Sequence, residues 1–168
     1  MKEPLHIEDI VVGMGDYAKV DCPDNAHVEG VAPCIGFAIY DTEKKFAYVG
    51  HLIPDATVTL EEAVKKAVEE CSSVSNLKVA VVGNVIETRG EYLGRVDEEG
   101  DTYEKYVENA NQTTSKIREI LAKSGIDKKR IRAKVGRSDV DSYDLHVSTR
   151  EGTISIEEVI PEFDLTWY

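Results

Sequence analysis

Two apolar segments rich in β-branched and aromatic residues lie close together in the first third of the chain. They cover residues 35–41 and 46–52, and only a short polar connection separates them. Segments of this length and composition, joined in this way, predict a β-hairpin. If the two strands pair antiparallel, the numbers of facing residues sum to about 87, so the first strand starts beside the end of the second.

The remaining elements follow from periodicity and from end signals. Thr59 and Glu62 have the spacing of a capping box, which predicts a helix over residues 60–73. Asp101 with Glu104 predicts the start of a second helix, which Gly125 ends. Further strands are predicted at residues 10–15 (ending in a tight glycine turn), 79–83, 131–135, 143–148 and 153–159.

The order of these elements is strands, helix, strand, helix, strands. It predicts an α+β fold, a mixed β-sheet sandwich with two helices packed on it. A length of 168 residues suits one domain, so we expect a single domain over 1–168. Residues 84–101 carry eight charged side chains and three glycines, which predicts a long polar loop.

Charge and composition restrict the classes of partner. The formal net charge of −12 argues against nucleic acid and against docking on an anionic membrane surface. No run approaches the roughly 20 apolar residues that a membrane span needs, so we expect no membrane insertion. The chain starts without the features of a secretory signal and has three cysteines, which indicates reduced thiols in a cytoplasmic protein. No cluster of His and Cys suggests a metal, and we expect no cofactor.

The three cysteines differ in their surroundings. Cys71 falls on the apolar face of the first predicted helix, where a cysteine usually acts as a small buried hydrophobe. Cys22 lies in a turn beside carboxylates, which raise the pKa of a thiol. Cys34 follows Gly30–Pro33 at a junction of loop and strand, where a side chain can face a cleft. Cys34 is therefore the candidate nucleophile, and a purely structural cysteine is the alternative.

His51 is the candidate base because it closes the hairpin strand opposite Cys34. The two residue numbers sum to 85, close to the pairing sum, so the hairpin itself brings the two backbones together. We expect His51 to lower the pKa of the Cys34 thiol below its free value of about 8.5. The other histidines, His6, His27 and His146, are weaker candidates.

These segments resemble the CheD family of chemoreceptor glutamine deamidases. Val12–Tyr17 resembles its N-terminal glycine strand, and Gly30–Cys34 stands where the family has a glycine-rich turn ending in the nucleophile. Gly50–Pro54 resembles its histidine segment. The resemblance is strong over residues 10–54 and looser afterwards.

The resemblance implies a cysteine hydrolase fold that is shared with the cytotoxic necrotizing factor toxins. It implies a cysteine-dependent protein-glutamine glutaminase, with Cys34 as nucleophile and His51 as general base and acid. The substrates would be glutamine side chains of methyl-accepting chemoreceptors, and a CheC-like phosphatase would be the expected partner.

The chain departs from the family pattern at Val82–Gly83, which stands for a glycine pair, in the long acidic loop 84–101, and at two positions near the candidate site. Pro33 replaces a serine and removes one backbone N–H from the oxyanion site. Val28 replaces the threonine that orients the histidine, so we expect the Val28 backbone carbonyl to orient His51, as a main-chain carbonyl does in the toxins. Glu29 and His27 are the alternatives, but adjacent residues in a strand point to opposite faces, so both side chains should face away from His51 if Val28 faces it.

Two other functions stay open. One is a CheD-like binding module for a CheC-like partner with weak or no catalysis, and the other is a cysteine amidohydrolase with a different substrate.

Overall fold

The computed structural model describes residues 5–96 and 102–160. Within them, strands and helices follow one another in this order: β1 Asp9–Val11, β2 Asp16–Asp21, β3 Asn25–Val31, β4 Ile35–Asp41, β5 Phe46–Leu52, α1 Thr57–Glu70, β6 Leu77–Gly83, α2 Arg89–Arg95, α3 Tyr103–Lys123, β7 Ile131–Val135, β8 Ser142–Ser148 and β9 Thr153–Val159. Short 3₁₀ turns at Val74–Asn76 and Lys128–Arg130 precede β6 and β7.

The strands form two sheets. One has the order β1-β3-β8-β9 and the other the order β2-β5-β4-β6-β7. β1 pairs parallel with β3 and β6 pairs parallel with β7, whereas the other pairs are antiparallel, so both sheets are mixed. The predicted α+β class is confirmed. The described residues hold three helices rather than the two that were predicted.

The apolar core has two layers, one on each face of the five-stranded sheet. Ala38 and Tyr40 of β4 face the four-stranded sheet and pack with Val28 and Tyr143. The alternate residues of β4 face α1 and α3 instead. Every residue of β4 and β5 is buried, because the other sheet covers one face and helices cover the other.

The hairpin prediction is confirmed in its strands and in its register. Ile35 faces Leu52 and Asp41 faces Phe46, so each pair sums to the expected number. The strands predicted at 131–135 and 153–159 are observed with the same bounds. Gly125 follows the end of α3, as predicted, and has a φ of 81°. Local alternation and turn residues were sufficient to place these elements.

The helix starts differ from the prediction. α1 begins at Thr57 after Ala56, and no side chain caps it, so the capping box of Thr59 and Glu62 was wrong. α3 begins at Tyr103 with Thr102 as the cap that accepts from the Lys105 amide. The predicted cap, Asp101, lies outside the described residues.

The predicted polar loop at 84–101 contains a helix, α2. Thr88 and Glu91 form a capping box that starts it. Tyr92 is buried and stacks on Tyr106 of α3, with ring centroids 4.9 Å apart. Because these contacts anchor α2 on α3, its charged residues lie on the surface of a helix rather than in a loop. Residues 97–101 lie outside the described part.

Candidate active site

Cys34 and His51 lie at the same end of the β4–β5 hairpin. Cys34 immediately precedes β4, and His51 is the penultimate residue of β5, where it faces Gly36. Cys34 and Gly36 are two residues apart and therefore project to the same face. His51 and Cys34 are thus diagonal neighbours on one face of the sheet.

This shared face points into the space between the two sheets. His51 is in phase with Ala47 and Val49, which belong to the core between the sheets, and Cys34 belongs to the same core. Each of the two candidate residues keeps only 8% of its surface exposed. The site is therefore a nearly closed seam at the sheet ends.

Gly36 makes room for the second sheet beside this pair. A Cβ at Gly36 would lie 2.9 Å from Cγ2 of Val31, which belongs to β3 of the other sheet. The glycine therefore lets Val31 close the seam next to His51.

The turn that carries Cys34 is fixed by the segment after β6. The amides of Asn84 and Val85 donate to the carbonyls of Cys34 and Ala32, each at 2.8 Å. Gly83 has a φ of 111°, and a Cβ there would overlap the Cys34 carbonyl oxygen. Only glycine allows this close approach.

The Cys34 thiol contacts a methionine. Its Sγ donates a hydrogen bond to Met14 Sδ at 3.3 Å, and Met14 is itself 64% exposed. Burial raises the pKa of the Cys34 thiol. This direction is opposite to the expected one, because desolvation disfavours the thiolate and dominates the environment of the thiol.

His51 is buried and has a free ring nitrogen. Burial lowers the pKa of His51, and a hydrogen bond from the ring to the backbone of Val12 partly opposes that effect. Nε2 is buried and has no hydrogen-bond partner among residues 5–96 and 102–160. Nε2 is therefore free to accept a proton.

The backbone contact that affects the His51 ring is with Val12. Val28 is fully buried in β3, within the core between the sheets. Val12 follows β1, and the turn after it is held across His51 because the Gly15 amide donates to the His51 carbonyl at 2.6 Å. The orientation of His51 by the Val28 carbonyl stays a prediction.

A sequence signal for this contact existed in the glycine turn. Residues 13–15 lead directly into β2, and β2 pairs antiparallel with β5 so that Asp16 faces His51. Recognising that β2 lies beside β5 would have placed the end of β1 over the imidazole.

The Cys34 amide is the candidate donor for an oxyanion. Pro33 has no N–H. Among the turn and loop hydrogen bonds of residues 5–96 and 102–160, the Cys34 amide is not a donor. The nearby Asn84 side chain is not available, because its Nδ2 donates to the Ala110 carbonyl and to Thr114 Oγ1.

The other histidines lie away from this seam. His27 and His146 face each other on the four-stranded sheet, with ring centroids 6.1 Å apart. His27 alternates with the inward-facing Val28, so the pair lies on the outer face of that sheet. Within residues 5–96 and 102–160, His, Cys, Asp and Glu form no group of three or more that could hold a metal. None of the described helices is long and apolar enough to cross a membrane.

Comparisons with known proteins give one relative by sequence. No family model matches the chain. An alignment of 97 residues is 27% identical to the probable chemoreceptor glutamine deamidase CheD of Clostridium acetobutylicum. The chain is similar to CheD. The alignment covers 49% of this chain and 58% of that protein, so the chain spans little more than half the length of the CheD relative.

Two solved structures match part of the chain at low identity. The hypothetical protein YfiH of Bacillus licheniformis has a TM-score of 0.47 and 15% identity, over 71% of this chain and 50% of that one. YlmD of Geobacillus stearothermophilus has a TM-score of 0.45 and 13% identity, over 74% of this chain and 51% of that one.

Proposed function

We propose that this protein is a cysteine-dependent amidohydrolase of the CheD type, which converts glutamine side chains of a protein to glutamate. The observation that carries the proposal is the position of Cys34 and His51 as diagonal neighbours on one face of the hairpin, with His51 Nε2 free. Similarity to a probable chemoreceptor deamidase supports the substrate class.

In the proposed reaction, His51 Nε2 takes the thiol proton while Cys34 Sγ attacks the carbon of the glutamine side-chain amide. The Cys34 amide stabilises the oxyanion that forms. The intermediate collapses, His51 returns the proton to the leaving nitrogen, and ammonia departs from a thioester. Water, deprotonated by His51, then attacks the thioester to release glutamate and restore the thiol.

The electrostatics favour a neutral resting pair. Burial raises the pKa of Cys34 and lowers that of His51, so the thiol stays protonated and the imidazole stays neutral near neutral pH. A neutral imidazole is the form that can act as a base. The proton therefore moves during the attack rather than before it.

Met14 occupies the approach to the thiol. Because its side chain is largely exposed, a substrate can displace it without disturbing the core. The S–H would then turn from Met14 Sδ towards His51.

The partners and the location rest on the similarity to CheD. The proposed substrates are glutamines of methyl-accepting chemoreceptors, and the proposed partner is a CheC-like phosphatase. We further propose that the chain acts in the cytoplasm as a single domain.

The contact of the thiol with Met14 also favours a second function. A thiol that donates to Met14 rather than to His51, beside a proline without an N–H, suits a CheD-like binding module that has lost catalysis. A cysteine amidohydrolase with another substrate would use the same two residues.

Mass spectrometry of a candidate receptor fragment incubated with the protein tests the proposal. We expect glutamine residues to gain the mass of an amide-to-acid conversion, with one ammonia released for each. Cys22→Ala serves as the control, because Cys22 is an exposed cysteine outside the seam. A receptor fragment that binds but keeps all its glutamines would favour the binding module, and deamidation that occurs only on other proteins would favour the other amidohydrolase.

A further inference from the structure

A cluster of basic side chains lies at the far end of the five-stranded sheet. Lys78 is the second residue of β6, Lys129 and Arg130 belong to the 3₁₀ turn before β7, and Arg132 lies in β7. Together with Val79 they line a cavity of about 290 Å³. We call this cavity the basic pocket.

The basic pocket is separate from the candidate active site. Along β4, Ile35 faces Gly83 at one end of β6, whereas Tyr40 faces Lys78 at the other end. Five residues of extended strand between Lys78 and Gly83 correspond to roughly 16 Å. Nothing in the proposed deamidation uses these residues.

The positive charge of this cluster is not neutralised within the described residues. Ion pairs link Lys19, Lys65, Lys66, Lys123, Lys134 and Arg137 to carboxylates, but none involves Lys78, Lys129, Arg130 or Arg132. In a chain with 32 acidic and 20 basic residues, carboxylates are abundant, yet no carboxylate of residues 5–96 and 102–160 forms an ion pair with these four. The pocket is therefore a local positive region on a negatively charged protein.

Backbone contacts hold the basic side chains in place. Arg130 Nε donates to the Leu77 carbonyl at 2.9 Å, and Arg132 Nη2 donates to the Ile154 carbonyl at 2.5 Å. Lys78 Nζ lies 3.3 Å from the Gly152 carbonyl. Each guanidinium has five N–H donors, so most of the donors of both arginines remain free for an anion.

We propose that the basic pocket binds a small phosphate-bearing molecule. Two guanidinium groups held by backbone carbonyls, with two exposed ammonium groups beside them, suit phosphate oxygens, because arginine can bind phosphate with two parallel hydrogen bonds. The cavity is near the lower limit of ligand-pocket sizes, which suits one or two phosphate groups and excludes a bulky ligand.

Titration calorimetry with inorganic pyrophosphate on the whole chain tests the proposal. We expect saturable one-to-one binding that weakens as salt is added but persists at physiological ionic strength. In the double variant Lys78→Gln/Lys129→Gln, binding should weaken by about tenfold or more, because each lysine contributes a charge-assisted hydrogen bond. Both side chains are exposed, so the fold should be unaffected.

The matched control is Lys105→Gln/Lys116→Gln on α3, which removes the same charge away from the basic pocket. It should bind pyrophosphate as the wild type does. An equal loss in both double variants would show a nonspecific effect of net charge and would overturn the proposal. Binding that is absent, or that vanishes at physiological ionic strength, would also overturn it. None of these outcomes depends on whether the protein deamidates glutamine.

Discussion

The His51 ring has a backbone contact with Val12, which raises its pKa against the effect of burial. We expect this backbone contact to hold the ring whatever side chain stands at position 12 or 28. The valine at position 28 fills the core between the sheets instead. The surroundings of the His51 ring therefore depend on the position of the turn after β1.

Replacing the side chains near this contact should have little effect on activity. Val28→Ala should retain most deamidase activity while lowering the free energy of unfolding by about 2 kcal/mol, because a fully buried side chain loses two carbons. Glu29→Gln should be almost silent, since its carboxylate is exposed and lies 3.5 Å from His27. Denaturant unfolding and a deamidation assay measure the two effects. A loss of about a hundredfold in folded Glu29→Gln would show that this carboxylate orients the base.

The pH dependence of Cys34 alkylation should reflect its burial. Burial raises the pKa of this thiol, so the reactive thiolate should form only above the ordinary thiol range, and alkylation should rise with pH through a high midpoint. Iodoacetamide labelling across a pH series, followed by peptide mapping, gives the midpoint, with the exposed Cys22 as the internal reference. A midpoint well below the ordinary value would instead indicate a resting thiolate–imidazolium pair.

At the scale of elements, the hairpin could be predicted and the neighbours of β5 could not. Two apolar segments joined by a short polar turn fix the β4–β5 register locally, and this register predicts that Cys34 and His51 lie close together. The pairing of β2 with β5 depends on contacts between distant parts of the chain, so the Val12 acceptor was missed. The sequence contains the capping box of α2 at Thr88 and Glu91. The many charged residues and glycines around it are nevertheless typical of a loop, so the helix was not predicted.

The glycine that ends β6 should be essential to the Cys34 turn. Gly83→Ala should lower the free energy of unfolding by about 2–4 kcal/mol and reduce activity, because the position has a positive φ and the added Cβ overlaps the Cys34 carbonyl. Gly90→Ala in α2 is the matched control. Its Cβ would meet nothing within 4 Å, so stability should stay equal or rise by about 0.5–1 kcal/mol.

Thermal or denaturant unfolding of the two glycine variants, together with Cys34 labelling, separates these expectations. If Gly83→Ala unfolds like the wild type and labels at the same rate, then the close approach of the β6 end does not fix the Cys34 turn.

At the scale of the whole molecule, the candidate active site lies where two sheets meet. Cys34 and His51 lie at one end of the five-stranded sheet. Val31 belongs to β3 of the four-stranded sheet, and Val12 directly follows β1 of the same sheet. The sequence predicted the sandwich but not this division, because β3 pairs with β8 across most of the chain length. Burial between two sheets is what produces both pKa shifts, so the neutral pair is a consequence of the fold.

The most direct test of the Cys34–His51 pair is a comparison of deamidation rates for Cys34→Ala, His51→Ala and the double variant. The three should retain the wild-type circular dichroism spectrum, and Cys71→Ala, a half-buried cysteine at the end of α1, should keep its activity. Because the two residues act as one unit, each single variant should lose deamidation and the double variant should be no worse than either. A folded His51→Ala variant that keeps most of its activity would contradict the pairing of thiol and imidazole.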